Sequence, residues 1–315
     1  MNKAEYGAFP TMITPYTEDG QIDWQAVEAL TEWYWKEGCE GIFASCQSSE
    51  IWFLPEDDRV KLAKVVKDTA DRLAREDKSR PPMTIVASGH TSDNREDQIR
   101  ELTRVAGTGV DAVILITNRM DIANTDDETW IRETKALVDA LPDVPLGLYE
   151  CPLPYKRLLT PAMLRYCVES GRFRFIKDTC CDADIIERRM EILRGTDLLL
   201  YNANAQTLLS SLRSGAAGYC GVMCNFHPRL YSWLVHHFDT EPQKASVAAD
   251  LCSMTAFTES LAYPITAKYH LNHIAGVPMS LYAKSRKAEE FTPYHAMCVR
   301  QMDELVQAAL KMLEA

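Results

Sequence analysis

The stretch RFRFIKDTCCD, residues 172–182, places a lysine at the end of an apolar strand. Charged and apolar side chains alternate at its start, with the period of two that is typical of a β-strand, and Lys177 ends the run. A lysine in that position either marks the point at which the strand meets water or supplies an amine held in a partly dry place. The sequence on either side of this stretch decides between the two interpretations.

Seven further short apolar runs accompany it, and several are nearly continuous, as in parallel strands that are buried on both faces. The runs are AFPTMIT near residue 10, GIFAS at 41, MTIVAS at 83, DAVILIT at 111, VPLGLY at 144, DLLLY at 197 and AGYCGVM at 217. Amphipathic segments with helical spacing separate them. One begins at Pro55 with acids in its first turn, and Asp182 or Asp184 can cap another, DIIERRMEIL.

Eight strands that alternate with helices predict an α/β fold with a parallel sheet, and eight strands close a TIM barrel. An open, doubly wound sheet is the alternative, but neither G-x-G-x-x-G nor a phosphate loop occurs. From about Pro228 the sequence favours helices to the end, including a long segment around 241–270. We therefore expect a (β/α)8 barrel with a catalytic mouth over residues 1–228. Residues 229–315 would add the last barrel helix and a C-terminal helical extension of the same structural unit.

Composition points to a protein that acts on small molecules. The chain has 315 residues, 46% of them hydrophobic, and its net charge of −11 argues against a nucleic-acid surface and against an anionic membrane surface. No stretch approaches the roughly 20 apolar residues of a membrane span, and the N-terminus lacks the apolar run of a signal peptide. The ten cysteines form no C-x-x-C pair, and no pair of histidines combines ligand spacing with a nearby carboxylate, so we expect a cytoplasmic protein with reduced thiols and no metal.

Active sites of such barrels lie at the C-terminal ends of the strands. Lys177 and Tyr149 end adjacent predicted strands and would both point into the mouth. A partly dry setting favours a neutral amine, which can attack a ketone carbonyl and form a Schiff base. The protonated imine draws electrons from the neighbouring carbon, and a tyrosine hydroxyl can relay the proton. Further polar residues at the strand ends are Gln47, Ser48, Ser49, Glu50, Asn118, Arg119, Asn202, Asn204 and Asn225.

From about Gly7 to about Pro228 the chain resembles the dihydrodipicolinate synthase / N-acetylneuraminate lyase family of class I pyruvate-type aldolases and dehydratases. The similar segments, in order, are GAFPTMITPYTEDGQID, GIFASCQSSEIWFLPEDDR, YECP, FIKDT and SGAAGYCGVMCN. The resemblance implies a (β/α)8 barrel with a C-terminal helical extension, commonly a homotetramer, that needs neither a metal nor an organic cofactor. It also implies that Lys177 is the Schiff-base amine and Tyr149 the proton relay.

The loop SCQSSE departs from the Gly-Thr/Ser-Thr-Gly-Glu loop of the family. Cys46 and Ser49 replace its two glycines, and Gln47 and Ser48 align with its two hydroxyl residues. The resemblance implies that this loop binds the carboxylate of a 2-oxo acid, so Gln47, Ser48 and Ser49 are predicted to bind substrate. Losing both glycines also limits the conformations with positive φ that the loop can adopt.

Two further departures argue against a lysine-biosynthetic synthase. Arg119 and Met120 replace a tyrosine pair that such synthases carry after strand four, and Pro154 stands where they carry an arginine. As a hypothesis, Arg119 holds a second carboxylate or a sugar-acid tail by a bidentate contact. The alternative is an arginine at an interface or on the surface. Asn202 and Cys220 complete the predicted substrate-binding set.

The sequence therefore predicts a class I lyase that cleaves, condenses or dehydrates a 2-oxo acid through a Schiff base on Lys177. A retro-aldolase that releases pyruvate and a dehydratase of 2-keto-3-deoxy sugar acids both fit. A non-catalytic barrel with a binding or assembly role is the alternative, but keeping both Lys177 and Tyr149 speaks against it. A phosphate-binding barrel would need a Gly-rich loop after strands seven and eight, which is missing. We expect a homo-oligomer, either a tetramer or a dimer.

Overall fold

The computed structural model describes residues 6–314, so residues 1–5 and 315 of the predicted ranges lie outside it. Eight short parallel strands form one sheet in the order β1-β8-β7-β6-β5-β4-β3-β2. Each predicted apolar run overlaps one of them, which confirms that part of the prediction. The strands are β1 (Gly7–Pro10), β2 (Gly41–Phe43), β3 (Thr84–Ala87), β4 (Ala112–Ile116), β5 (Leu146–Tyr149), β6 (Phe173–Asp178), β7 (Leu199–Asn202) and β8 (Gly218–Gly221).

The sheet curls until its first and last members meet. The backbone N–H of Met12, just beyond β1, donates to the carbonyl oxygen of Phe43 on β2 at 3.1 Å, and Glu40 N donates to Ala8 O at 3.2 Å. Aromatic rings fill the interior, where the Phe175 and Tyr201 rings stack with their centroids 4.4 Å apart. The interior is therefore a packed core rather than a pore, and the predicted (β/α)8 barrel is confirmed.

Helices follow the strands and cover the barrel. They are α1 (Trp24–Lys36), α2 (Glu56–Glu76), α3 (Arg95–Ala106), α4 (Asp127–Ala140), α5 (Pro161–Glu169), α6 (Ala183–Leu193), α7 (Leu208–Arg213) and α8 (Pro228–His237), and then α9 (Pro242–Thr255), α10 (Ile265–His273) and α11 (Pro293–Leu313). Of the two predicted caps of α6, Asp182 is the one used, because its carboxylate accepts the backbone N–H of Ile185 at 3.0 Å. Within residues 6–314, no helix combines the length and the apolar character that crossing a membrane requires.

The long segment around 241–270 that was predicted to be helical is helical in two parts. Helix α9 ends at Thr255, a 3-10 turn follows over Ala256–Ser260, and α10 begins only at Ile265. Pro264 explains the interruption, because it has no backbone N–H for a helical hydrogen bond and Ala262 before it adopts a φ of +49°. The chain is also non-helical over much of 274–292. These two breaks carry residues of the extension to the mouth of the barrel.

Candidate active site

A cavity of about 490 Å³ opens at the C-terminal ends of the strands, and both Lys177 and Tyr149 line it. The two residues are register partners on the neighbouring strands β6 and β5, so their predicted adjacency at one level is confirmed. The Lys177 amine lies 4.2 Å from the centroid of the Tyr149 ring and 5.8 Å from that of Phe43. Lys177 is only 4% exposed. The amine is thus held among aromatic rings with one open side facing the cavity.

A buried ion cluster fixes the strand ends behind this pair. Glu150 follows Tyr149 and Asp178 follows Lys177, and Arg189 of α6 bonds to both carboxylates, with a distance of 2.6 Å to Glu150. Burial raises the pKa of Glu150, and the Arg189 guanidinium opposes that shift. Because one guanidinium ties the residues next to Lys177 and Tyr149, the cluster sets the relative position of the two strand ends.

Two of the three predicted loop residues line the cavity. Gln47 faces it and accepts the thiol hydrogen of Cys151 at 3.3 Å, and Ser48 donates to the Thr11 hydroxyl at 3.1 Å. Ser49 instead turns inward, fully buried, and its hydroxyl donates to the Met12 carbonyl oxygen at 2.6 Å. The structure therefore corrects the expectation that Ser49 reaches the substrate.

In the loop SCQSSE, the residue with a positive φ is neither Cys46 nor Ser49, the two that replace the glycines of the family. Glu50 adopts a φ of +59°, and its carboxylate accepts the backbone N–H of Ser285 at 2.5 Å. This bond ties the loop to the C-terminal extension. Glu50 thus has the anchoring role that its place in the loop suggests, and the lost glycines did not prevent the turn.

Asn202 and Cys220 do not reach the cavity. The Asn202 amide donates to the hydroxyls of Thr207 at 2.9 Å and Ser211 at 3.1 Å, which anchors the loop after β7. Cys220 lies fully buried in the barrel interior, where burial raises its pKa to about 12. Neither side chain lines the cavity, because the Asn202 amide is hydrogen-bonded to the loop after β7 and Cys220 lies below the mouth of the barrel.

Arg119 also lies elsewhere, since its guanidinium already has partners. It donates to the Asp93 carboxylate at 2.6 Å and to the Asn118 side-chain oxygen at 3.0 Å, and it lines a separate surface depression. Its guanidinium carbon is 5.6 Å from the ring centroid of Trp52, a residue that does line the cavity. Arg119 is thus a buried arginine behind the cavity wall. This position does not support the hypothesis that it binds the substrate tail.

The structure adds cavity residues that the sequence reasoning missed. Those from the extension include Glu259, Tyr263 and Arg286, and Lys156 comes from the loop after β5. Arg286 donates to the Tyr263 carbonyl oxygen at 3.3 Å, and Lys156 donates to the Thr179 carbonyl oxygen at 2.8 Å. Pro264 was the available signal, since it predicts a break in the helix at this point. Among residues 6–314 there is no group of three or more histidine, cysteine, aspartate or glutamate side chains placed to hold a metal ion.

Comparison with known protein families matches residues 5–285 to the dihydrodipicolinate synthetase family. The chain belongs to this family. A relative named 4-hydroxy-tetrahydrodipicolinate synthase, from Methanothrix thermoacetophila, is 25% identical over 280 residues, which cover 87% of this chain and 90% of the relative. The resemblance drawn from the sequence motifs is therefore confirmed.

Solved structures of the dihydrodipicolinate synthetase family share the fold. The wild-type sialic acid aldolase of Ruminococcus gnavus superposes with a TM-score of 0.84 at 18% identity, covering 99% of this chain and 100% of its own. An E. coli K12 prophage protein of the dihydrodipicolinic acid synthase family, solved in complex with pyruvate, gives 0.81 at 21% identity, with 96% and 98% covered. Since members of this family are Schiff-base lyases, the chain is an enzyme of the lyase/aldolase type.

Proposed function

We propose that this family member is a class I lyase that acts on a 2-oxo acid through a Schiff base on Lys177. The observation that carries the proposal is the Lys177 amine, held in the cavity 4.2 Å from the Tyr149 ring centroid. The amine attacks the ketone carbon, the carbonyl oxygen leaves as water, and a C=N bond forms. The Tyr149 hydroxyl relays the protons that this exchange requires.

The protonated imine then acts as an electron sink. In aldol cleavage it receives the electron pair of the C3–C4 bond, and condensation is the reverse. In dehydration C3 first loses a proton to give the enamine, which then expels the C4 hydroxyl group, and that group takes up a proton and leaves as water. Gln47 and Ser48 line the cavity next to this centre and are the residues placed to bind the substrate carboxylate. Lys156 and Arg286 supply positive charge at the cavity wall, and they take the place proposed from sequence for Arg119 in binding a polar or anionic tail.

The proposal excludes an authentic 4-hydroxy-tetrahydrodipicolinate synthase. Arg119 and Met120 stand in place of the tyrosine pair, Pro154 in place of the arginine, and Gln47 in place of a hydroxyl residue. The Methanothrix thermoacetophila relative with that name is 25% identical, and specificity depends on pocket contacts, which the fold does not fix. When supplied with the substrates of those relatives, the protein should not form 4-hydroxy-tetrahydrodipicolinate.

The proposal also covers the assembly. Residues 1–228 and 229–315 act as one structural unit, and the support is that the extension contributes Glu259, Tyr263 and Arg286 to the barrel cavity. We further propose a cytoplasmic homo-oligomer, a tetramer or a dimer, that works without a metal or an organic cofactor.

Borohydride trapping tests the central step. The protein is incubated with pyruvate, reduced and digested, and the added mass is located by mass spectrometry. We expect a reduced pyruvyl adduct on Lys177 that disappears in Lys177→Ala but persists in Lys156→Ala, a matched control that removes another amine from the same cavity. If neither pyruvate nor longer 2-oxo acids add to Lys177, the proposal fails and a non-catalytic binding role takes its place.

A further inference from the structure

Glu259 is an acid of the C-terminal extension that lies in the same cavity as Lys177. It belongs to the 3-10 turn Ala256–Ser260, in the break between α9 and α10. One contact within the turn and one just after it hold this segment: the Thr258 hydroxyl donates to the Met302 sulfur at 3.2 Å, and the Asn225 amide donates to the Tyr263 hydroxyl at 3.2 Å. The carboxyl group is therefore presented to the cavity by an anchored segment.

Among the described residues that line the cavity, two carry a carboxyl group, Glu50 and Glu259. Glu50 is only 3% exposed, and its Oε1 anchors the loop by accepting the Ser285 backbone N–H at 2.5 Å. Gln47 presents an amide where the family has a hydroxyl, and an amide neither accepts nor releases a proton near neutral pH. Glu259 is thus the carboxyl group available to exchange a proton with the part of the substrate that lies beyond the imine.

We propose that Glu259 is the general acid–base that serves the hydroxyl group of a 4-hydroxy-2-oxo acid, a role that rests on the proposed Lys177 imine. In cleavage, the Glu259 carboxylate takes the proton of the C4 hydroxyl and that O–H electron pair becomes the aldehyde C=O. The C3–C4 bond breaks and its electrons neutralise the iminium as an enamine. A proton added to C3 then restores the pyruvyl imine, and water releases pyruvate. In condensation the protonated carboxyl gives its proton to the new alkoxide.

The surroundings of Glu259 suit a group that must work in both protonation states. Its side chain remains accessible from the cavity, yet the surrounding protein raises its pKa to about 7 by desolvation, and the positive charge of Lys177 opposes the shift. A general acid–base is most effective when its pKa lies near the working pH. The other charged or titratable groups that line the cavity are Lys177, Lys156, Arg286, Glu50, Tyr149, Tyr263 and Cys181.

The test compares wild type, Glu259→Gln and Glu289→Gln, in which the altered acid is an exposed residue of the extension that does not line the cavity. The probes are pyruvate, for borohydride trapping, and three 4-hydroxy-2-oxo acids with different tails: 4-hydroxy-2-oxopentanoate, 4-hydroxy-2-oxoglutarate and 2-keto-3-deoxygluconate. Pyruvate release from each is followed. We expect Glu259→Gln to keep pyruvate trapping within about twofold of wild type and to lose about 10²-fold or more in kcat on the acid that wild type cleaves. Glu289→Gln should match wild type in both.

The pH profile separates a proton-transfer role from a structural one. For wild type, kcat for cleavage should rise with pH up to about 7, as Glu259 ionises, and this limb should vanish in Glu259→Gln. Glu259→Asp keeps a carboxyl group and should recover part of kcat, which a loss of folding would not allow.

Three outcomes overturn the inference while leaving the imine proposal intact. In the first, Lys177 is trapped by pyruvate but wild type cleaves none of the three acids, so the substrate class is wrong. In the second, Glu259→Gln cleaves as fast as Glu289→Gln. In the third, both the cleavage rate and the trapping of Glu259→Gln fall together, which indicates a structural role. If Lys177 is never trapped, it is the proposed function that fails.

Discussion

Replacing Arg189 with methionine should destabilise the protein far more than the same change one residue earlier. Arg189 is 3% exposed and bonds to Glu150 and Asp178, both fully buried, so Arg189→Met leaves two buried carboxylates without a cation. Removing one partner of a buried ion pair costs about 3–5 kcal/mol. With an unfolding entropy of about 2.1 cal/mol/K per residue, that loss lowers Tm by about 5–8 °C in a chain of this length. Arg188→Met changes an exposed arginine on the same helix and should cost less than about 0.5 kcal/mol.

The destabilisation caused by Arg189→Met should depend on pH. Burial raises the pKa of Glu150 even with Arg189 present, so without the guanidinium the folded state gains more from protonating this carboxyl than the unfolded state does. The destabilisation of Arg189→Met should therefore be largest above neutral pH and shrink as the pH falls towards 5. Thermal unfolding by circular dichroism, at equal protein concentrations, measures it.

Loss of the ion cluster should also slow Schiff-base formation, because Glu150 and Asp178 directly follow Tyr149 and Lys177 in the chain. Borohydride trapping of pyruvate by Arg189→Met, measured well below its Tm, should be slower than by Arg188→Met. Equal Tm values for Arg189→Met and Arg188→Met at pH 8 would refute the reasoning, since the buried carboxylates would then be tolerated without their cation.

Three further predictions follow from single contacts. Ser49→Ala should lower the free energy of unfolding by about 1–3 kcal/mol, because the buried hydrogen bond to Met12 is lost. KM in steady-state assays should stay unchanged. A raised KM without a loss of stability would show that Ser49 binds the substrate after all. Lys268 is fully buried and its pKa falls to about 7, so between pH 7 and about pH 10 the folded chain has released the proton that the unfolded chain still binds. The free energy of unfolding should therefore rise by about 1.4 kcal/mol per pH unit over this range because of Lys268. Denaturant titrations of Lys268→Met should lack this slope. Arg286→Ala should raise KM for a 2-oxo acid with an anionic tail but leave pyruvate trapping unchanged, and equal effects on both ligands would contradict a tail contact.

The sequence was sufficient to predict the barrel and the adjacency of Lys177 and Tyr149. Parallel strands buried on both faces are nearly continuous apolar runs, so their number could be counted, and strand ends in a closed barrel lie at one edge. That logic predicts that Lys177 lies beside Tyr149, and the register of β5 and β6 confirms it.

The same logic could not say where the polar side chains near the mouth point. Ser49 and Arg119 follow strands and Asn202 ends one, yet the side chain of each already has a protein partner: the Met12 carbonyl for Ser49, loop hydroxyls for Asn202 and Asp93 for Arg119. A buried donor without a partner is costly, so such groups satisfy one another wherever the chain allows it. Position along a strand predicts the level of a side chain in the barrel, and the competition for hydrogen bonds decides whether it faces the ligand.

The cavity residues from the extension could not be predicted from the sequence. The residues proposed to react therefore lie on the barrel strands, whereas residues proposed to select the substrate come from the extension. The proposed imine-forming pair, Lys177 and Tyr149, belongs to β6 and β5, whose register sets its position independently of the rest of the mouth. Glu259 and Arg286 reach the cavity only because the helical extension breaks at two places, one of them before Pro264. Changes in those breaks alter the groups that face the substrate tail without disturbing the barrel. Two proteins with the same strands and the same lysine can therefore accept different 2-oxo acids, and variants of the extension, rather than of the strands, are the ones expected to change which acid this enzyme accepts.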